Sequence, residues 1–84
     1  MPRFFFDTFD GANFQRDEAG QELPDIETVR LKAQEALPDM VGDAPPDGDR
    51  RSFVVNVRNE TGQTVLRTAL SLVIEQGPFG DPSS

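Results

Sequence analysis

The sequence contains no cysteine and no histidine. Without cysteine there is no disulfide and no thiolate zinc site, and the redox compartment is left open. Without histidine there is no imidazole base and no imidazole metal ligand, which removes most triad chemistry and most transition-metal sites. Basic residues are scarce: eight Lys and Arg stand against fifteen Asp and Glu, for a net charge of −7. A phosphate-backbone partner needs clustered Lys and Arg, so the expectation is no nucleic acid. No apolar run approaches the length that a bilayer span needs, so no membrane partner is expected either. The opening MPRFFF lacks the long apolar region and the small-residue cleavage site of a signal peptide. A cytoplasmic location is the expectation that follows.

What is present fits one small domain. Eighty-four residues suffice for a modest core without staples. The acids are spread along the chain, as on a solvated surface. Residues 1–75 are expected to form the domain. Residues 76–84, rich in Gly, Pro and Ser, are expected to form a flexible tail unless Phe79 docks.

Residues 24–41 form an amphipathic helix pattern. Ile26, Val29, Ala33, Ala36, Leu37 and Met40 recur at three- and four-residue steps and share one face. Glu27, Thr28, Lys32, Glu35 and Asp39 take the opposite side, where Leu31 also lands. Asp25 is the expected N-cap, because its carboxylate can accept a free N–H of the first turn. Pro38 removes a donor and crowds the carbonyl of Gln34, so a kink or a break near residues 34–38 is expected, with Gly42 as the stop.

The remaining elements read as strands. Residues 3–9, RFFFDTF, alternate Phe4, Phe6 and Thr8 against Phe5, Asp7 and Phe9. Asp10-Gly11 is a turn pair, and residues 14–16 return as a short second strand. Residues 43–50, DAPPDGDR, form a loop. Residues 51–58 alternate again, with Phe53, Val55 and Val57 on one side. A turn at residues 59–62, with Gly62 placed for a positive φ, leads into a long strand over residues 64–74. The order ββαββ predicts an α+β fold: one antiparallel four-stranded sheet with a single helix packed on one face. Phe4, Phe6, Phe53, Val55, Val57, Leu66 and Leu70 are expected to face the helix. Strand order does not follow from these patterns.

In the order of its pieces the chain resembles a family of small bacterial proteins, the domain of unknown function 6894. The residues that carry the resemblance are Met1-Pro2-Arg3-Phe4-Phe5-Phe6, Asp10-Gly11, the run Arg16-Asp17-Glu18-Ala19-Gly20-Gln21-Glu22-Leu23-Pro24-Asp25, and a closing hairpin with Glu60-Thr61-Gly62 and Val65-Leu66. Together they span most of residues 2–70. Family members often carry a histidine after the aromatic run; here Asp7 takes that place. Pro38 interrupts a helix that usually continues. The resemblance implies a fold and a bacterial origin, and no activity.

The residues offer few chemistries. Asp43, Asp47 and Asp49 surround one glycine, and Asp10, Asn13, Asp17 and Glu18 lie near another. Either group has oxygen ligands for a divalent cation, but neither has EF-hand spacing, and turn residues bonding their own backbone explain both. Asp7 with Asp10, or Glu18 with Glu22, are carboxylate pairs that acid–base chemistry would use only in a pocket. Arg50, Arg51 and Arg58 could hold one carboxylate or phosphate group, or flank a hydrophobic strand and keep its edge soluble, which is the preferred reading. The sheet has a second face, and alternation puts Phe5, Phe9, Val54, Val65, Ala69 and Val73 there among Asp7, Asn56, Arg67 and Ser71. An apolar surface of this kind usually marks a contact. The expected protein is therefore not an enzyme. It binds no cofactor and no metal, and acts by protein–protein contact. It pairs as a homodimer, or with another protein, through the helix-free sheet face or the edge of the 64–74 strand. The alternative is a ligand- or divalent-cation-binding module that uses the acidic turns.

Overall fold

A computed structural model describes residues 1–43 and 50–80, without the side chain of Asp43. Its elements are β1 (Arg3–Phe9), β2 (Phe14–Gln15), β3 (Gln21–Glu22), α1 (Ile26–Asp43), β4 (Arg50–Arg58) and β5 (Thr64–Val73). The class is α+β, with one helix against one antiparallel sheet. The sheet has five strands rather than the expected four. Its order is β2-β1-β4-β5, and β3 also pairs with β1. The extra strand is two polar residues long, so it has no alternation to reveal it. It exists because Arg3 and Phe4 offer backbone partners to Glu22 and Gln21.

The two long strands at the centre set the register. Phe6 lies across from Val57 and Thr8 from Val55, and Val57, Val55 and Phe53 lie across from Leu66, Thr68 and Leu70. Opposed residues share a face, so these residues line the side that α1 covers. Phe4, Leu23, Val29, Ala33, Leu37, Phe53, Val55 and Val57 form the buried core, with Phe6, Ala36, Met40, Val41 and Leu66 packed around it. Leu70 shares that face but is 41% exposed, contrary to expectation. It sits on β5, whose other side pairs with no strand among the described residues. Ile26 is also exposed, at the first turn of the helix. Leu31 is exposed on the polar side, as its spacing predicts.

Asp25 caps α1: its Oδ1 accepts the Thr28 N–H at 2.8 Å and the Thr28 hydroxyl at 2.8 Å. The helix then runs without a break through Pro38 to Asp43, beyond Gly42. Of the kink or break expected near residues 34–38, the break does not occur. A proline inside a helix costs about 3 kcal/mol or more. Leu37, buried, and Met40 and Val41, packed on the core, lie around and beyond it and offset that cost. Gln34, whose carbonyl loses its donor, lies on the exposed side. Gly62 has φ of 88° in the β4–β5 turn, where its N–H donates to the Asn59 carbonyl at 3.0 Å.

Candidate functional site

Two features of the sheet stand out, and they lie at its opposite edges. The first is on the β1 side. Asp7 is 3% exposed, the one charged side chain in the buried set of the described residues. Its Oδ2 accepts Arg58 Nε at 2.6 Å and its Oδ1 accepts Arg58 Nη2 at 3.0 Å, a two-pronged ion pair across strands β1 and β4. The same Oδ1 accepts the Asp17 N–H at 2.9 Å, and Arg58 Nη2 donates to the Asp17 carbonyl at 3.0 Å. Arg58 also lies over the Phe5 ring, 5.1 Å from its centroid. The Asp17 carboxylate in turn accepts the Phe6 N–H at 2.9 Å, and the Ala19 and Gly20 N–H groups at 3.1 Å each. Asp17 thus completes the outer edge of β1 between β2, which pairs with Thr8 and Phe9, and β3.

Gly20 makes this fit possible. Its φ is 72°, and a Cβ there would stand 2.9 Å from Phe5 and from Arg3. The segment therefore lies close against Phe5 and covers part of the helix-free face.

The Arg58 guanidinium holds the Asp7 carboxyl below its ordinary value of 3.8, against the opposing effect of burial. For Asp17 burial works upward, but the N–H groups of Phe6, Gly20 and Ala19 outweigh it, and its carboxyl also lies below 3.8. A carboxyl depressed in the fold adds stability above its unfolded value, and that stability is lost as pH falls through the folded value. Unfolding free energy is expected to be flat from neutral pH down to about pH 5 and to fall steeply below pH 4, roughly. Denaturant titrations between pH 3 and pH 7 measure it. Asp7→Asn should flatten the acid limb, and an unchanged limb would remove Asp7 from the account.

The second feature is β5. Its ten residues pair with β4 on one side, and no strand pairs with its other side among the described residues. Leu70 and Leu72 on the helix face are 41% and 40% exposed, and Val73 and Ile74 at its end are 51% and 52% exposed. Arg67 is the one charged residue in the strand, and it donates to the Asn56 Oδ1 at 3.1 Å.

The expected contact residues divide between these two regions. Phe5 and Val54 are half-buried, Phe5 beneath Arg58; Phe9 is at the margin of exposure. Ala69 and Val73 are exposed on β5. Val65 falls at the irregularity that lets Arg58 pair with Thr64, and it lines a concavity with Phe4 and Ile26 on the helix side.

The acidic turns hold their own backbone. Asp10 Oδ1 accepts the Ala12 and Asn13 N–H groups at 2.9 and 2.7 Å, and Asp17 is engaged as described. Glu18 pairs with Arg16, and Glu22 with Arg3, rather than with each other. No group of acidic residues is placed to hold a metal among the described residues. Asp47, Asp49 and the side chain of Asp43 lie outside them. The basic residues do not guard an edge, because β4 is central. Arg58 ties β4 to residue 17, and Arg51, with its side chain 8% exposed, donates to the Asp10 carbonyl. No helix among the described residues is long and apolar enough to cross a membrane.

The role of Asp17 is not visible in the sequence, where it reads as one more turn acid. The Asp7–Arg58 pair leaves a faint signal: an acid within an aromatic strand and an arginine within an aliphatic one. Only the β1–β4 register shows that they share a face.

A family model described as a domain of unknown function, DUF6894, matches residues 3–71. Neither a curated protein nor a solved structure matches the chain.

Proposed function

We propose that this chain, which belongs to the DUF6894 family, is a non-enzymatic protein–protein contact module that self-associates through the open edge of β5. The observation that supports this is the contrast between the two edges of one sheet. The β1 edge is closed by two very short strands and by the Asp17 carboxylate. Short strands and inward-pointing charges are the devices by which sheets avoid edge-to-edge pairing. β5 differs: it is ten residues long, holds no proline and no lysine, carries Arg67 as its one charge, and leaves apolar side chains open at its far end. An unpaired ladder of this kind gains main-chain hydrogen bonds when a strand is added to it. With one edge closed and one open, addition stops at two copies rather than running on into a fibre.

The helix-free face is the weaker candidate for the same role. Residues near Gly20 and the Arg58 side chain already lie against Phe5. Arg67 and Ser71 interrupt the β5 part of that face.

Light scattering across the micromolar range tests the reading. The wild-type chain is expected at dimer mass at high micromolar concentration. Leu72→Lys places a charge on an exposed edge position and should weaken the dimer at least about tenfold, equal to about 1.4 kcal/mol. A wild-type monomer at every concentration overturns the proposal.

A further inference from the structure

We infer that the second copy adds its β5 antiparallel to the first, about a twofold axis through Ala69, so that Leu66 of each copy lies across from Leu72 of the other. The inference rests on the edge reading above and gives it a register. A twofold axis normal to the sheet keeps each face on its own side. Opposed residues must then share the same alternation, so the axis passes through a residue and not between two. Near the middle of the ten-residue strand that leaves Arg67, Thr68, Ala69 and Leu70.

Charge and pattern choose among the four. An axis at Arg67 sets two guanidinium groups opposite each other, which is unfavourable. An axis at Thr68 sets Leu66 against Leu70 but carries Leu72 past the irregularity between Thr64 and Leu66, and an axis at Leu70 sets Arg67 against Val73. An axis at Ala69 sets Leu66 against Leu72, Thr68 against Leu70, Arg67 against Ser71 and Ala69 against itself. Both exposed leucines, Leu70 and Leu72, gain a partner on the helix face, and the one charge meets a small polar group.

Burial along the strand supports the antiparallel direction. Leu66 and Thr68 are half-buried, and Leu66 packs against the core beside α1, whereas Leu70 and Leu72 on the same face are open. Reversing the strand brings the open half of each copy beside the helix-covered half of the other. Both helices then lie on one side of a continuous sheet.

The chain has no cysteine, so one introduced thiol reports one position. Opposed Cα atoms in an antiparallel pair stand about 4.5–5.5 Å apart, within the range of about 4.4–6.8 Å that a disulfide spans. Ala69→Cys should therefore cross-link to a covalent dimer under mild oxidation. In Ser71→Cys the two thiols are offset by four residues, about 13 Å along the strand. Both positions are exposed, so neither variant burdens the core. Cross-linking at residue 69 should be at least about tenfold faster than at residue 71. Light scattering of each reduced variant separates the two levels of failure. A dimer whose thiols link no faster at residue 69 than at residue 71 overturns the register and leaves self-association standing. Monomers throughout overturn both.

Discussion

Phe53→Ala should lower the unfolding free energy by about 3–5 kcal/mol, the largest loss expected from any single truncation of the core. Phe53 is fully buried on the central strand, between α1 and Leu70 of β5, and is among the largest side chains with no solvent contact. Removing its ring deletes transfer energy and leaves a cavity that a helix held at both ends cannot close. A domain of this length has total stability on the order of 4–12 kcal/mol. A substantial unfolded fraction at room temperature is therefore within reach. Val54→Ala, one residue away on the opposite face and only half-buried, is the control and should cost about 1 kcal/mol or less. Urea melts of both variants decide the matter. Equal losses at the two positions would mean that α1 does not cover β4 as described.

Asp7→Ala should cost about 3 kcal/mol, toward the lower end for breaking a buried ion pair. The carboxylate serves three donors, two from Arg58 and the Asp17 N–H. Its loss strands the guanidinium against the sheet, with the Asp17 carbonyl and the Phe5 ring as its remaining neighbours. Asp7→Asn keeps an acceptor for Asp17 and should lose less. The effect should also be local. Hydrogen exchange at the Phe6 and Asp17 amides is expected to speed up, because the segment that closes the β1 edge is no longer anchored. A double variant, Asp7→Leu with Arg58→Met, should recover much of the loss, since the desolvation of both charges goes with them. Asp7→Ala within about 0.5 kcal/mol of wild type would show that the pair is a surface contact.

These two residues bear on the proposed contact from opposite sides. Phe53 lies directly across from Leu70 of β5 and so helps hold that strand in line. Asp7, through Asp17, keeps the far edge closed, which confines association to one edge. Loss of Asp7 is thus expected to leave the β5 contact in place.

Local patterns in the sequence determined the longer elements of this fold. Alternation marked β1 over residues 3–9 to the residue, and placed Phe4, Phe53, Val55 and Val57 in the core. Three-and-four spacing marked the helix and its buried stripe of Val29, Ala33 and Leu37. Asp25 and Gly62 were legible because a cap and a left-handed turn demand particular side chains at particular offsets. All of these depend on residues a few positions apart, where chain geometry is fixed by the backbone itself. The continuity of α1 through Pro38 was decided elsewhere, by the packing of its last two turns on the sheet, which outweighs a local penalty.

Strand order, the β1–β4 register and the pairing of residues 7, 17 and 58 were decided by tertiary structure. Their sequence separations reach 51 residues, as between Asp7 and Arg58, and no periodicity spans such a gap. The same holds for the open edge. Residues 64–73 read as a strand from their alternation, but whether that strand is central or outermost depends on which neighbour the sheet supplies. It was the sheet, by ending at β5, that left Leu70 and Leu72 uncovered.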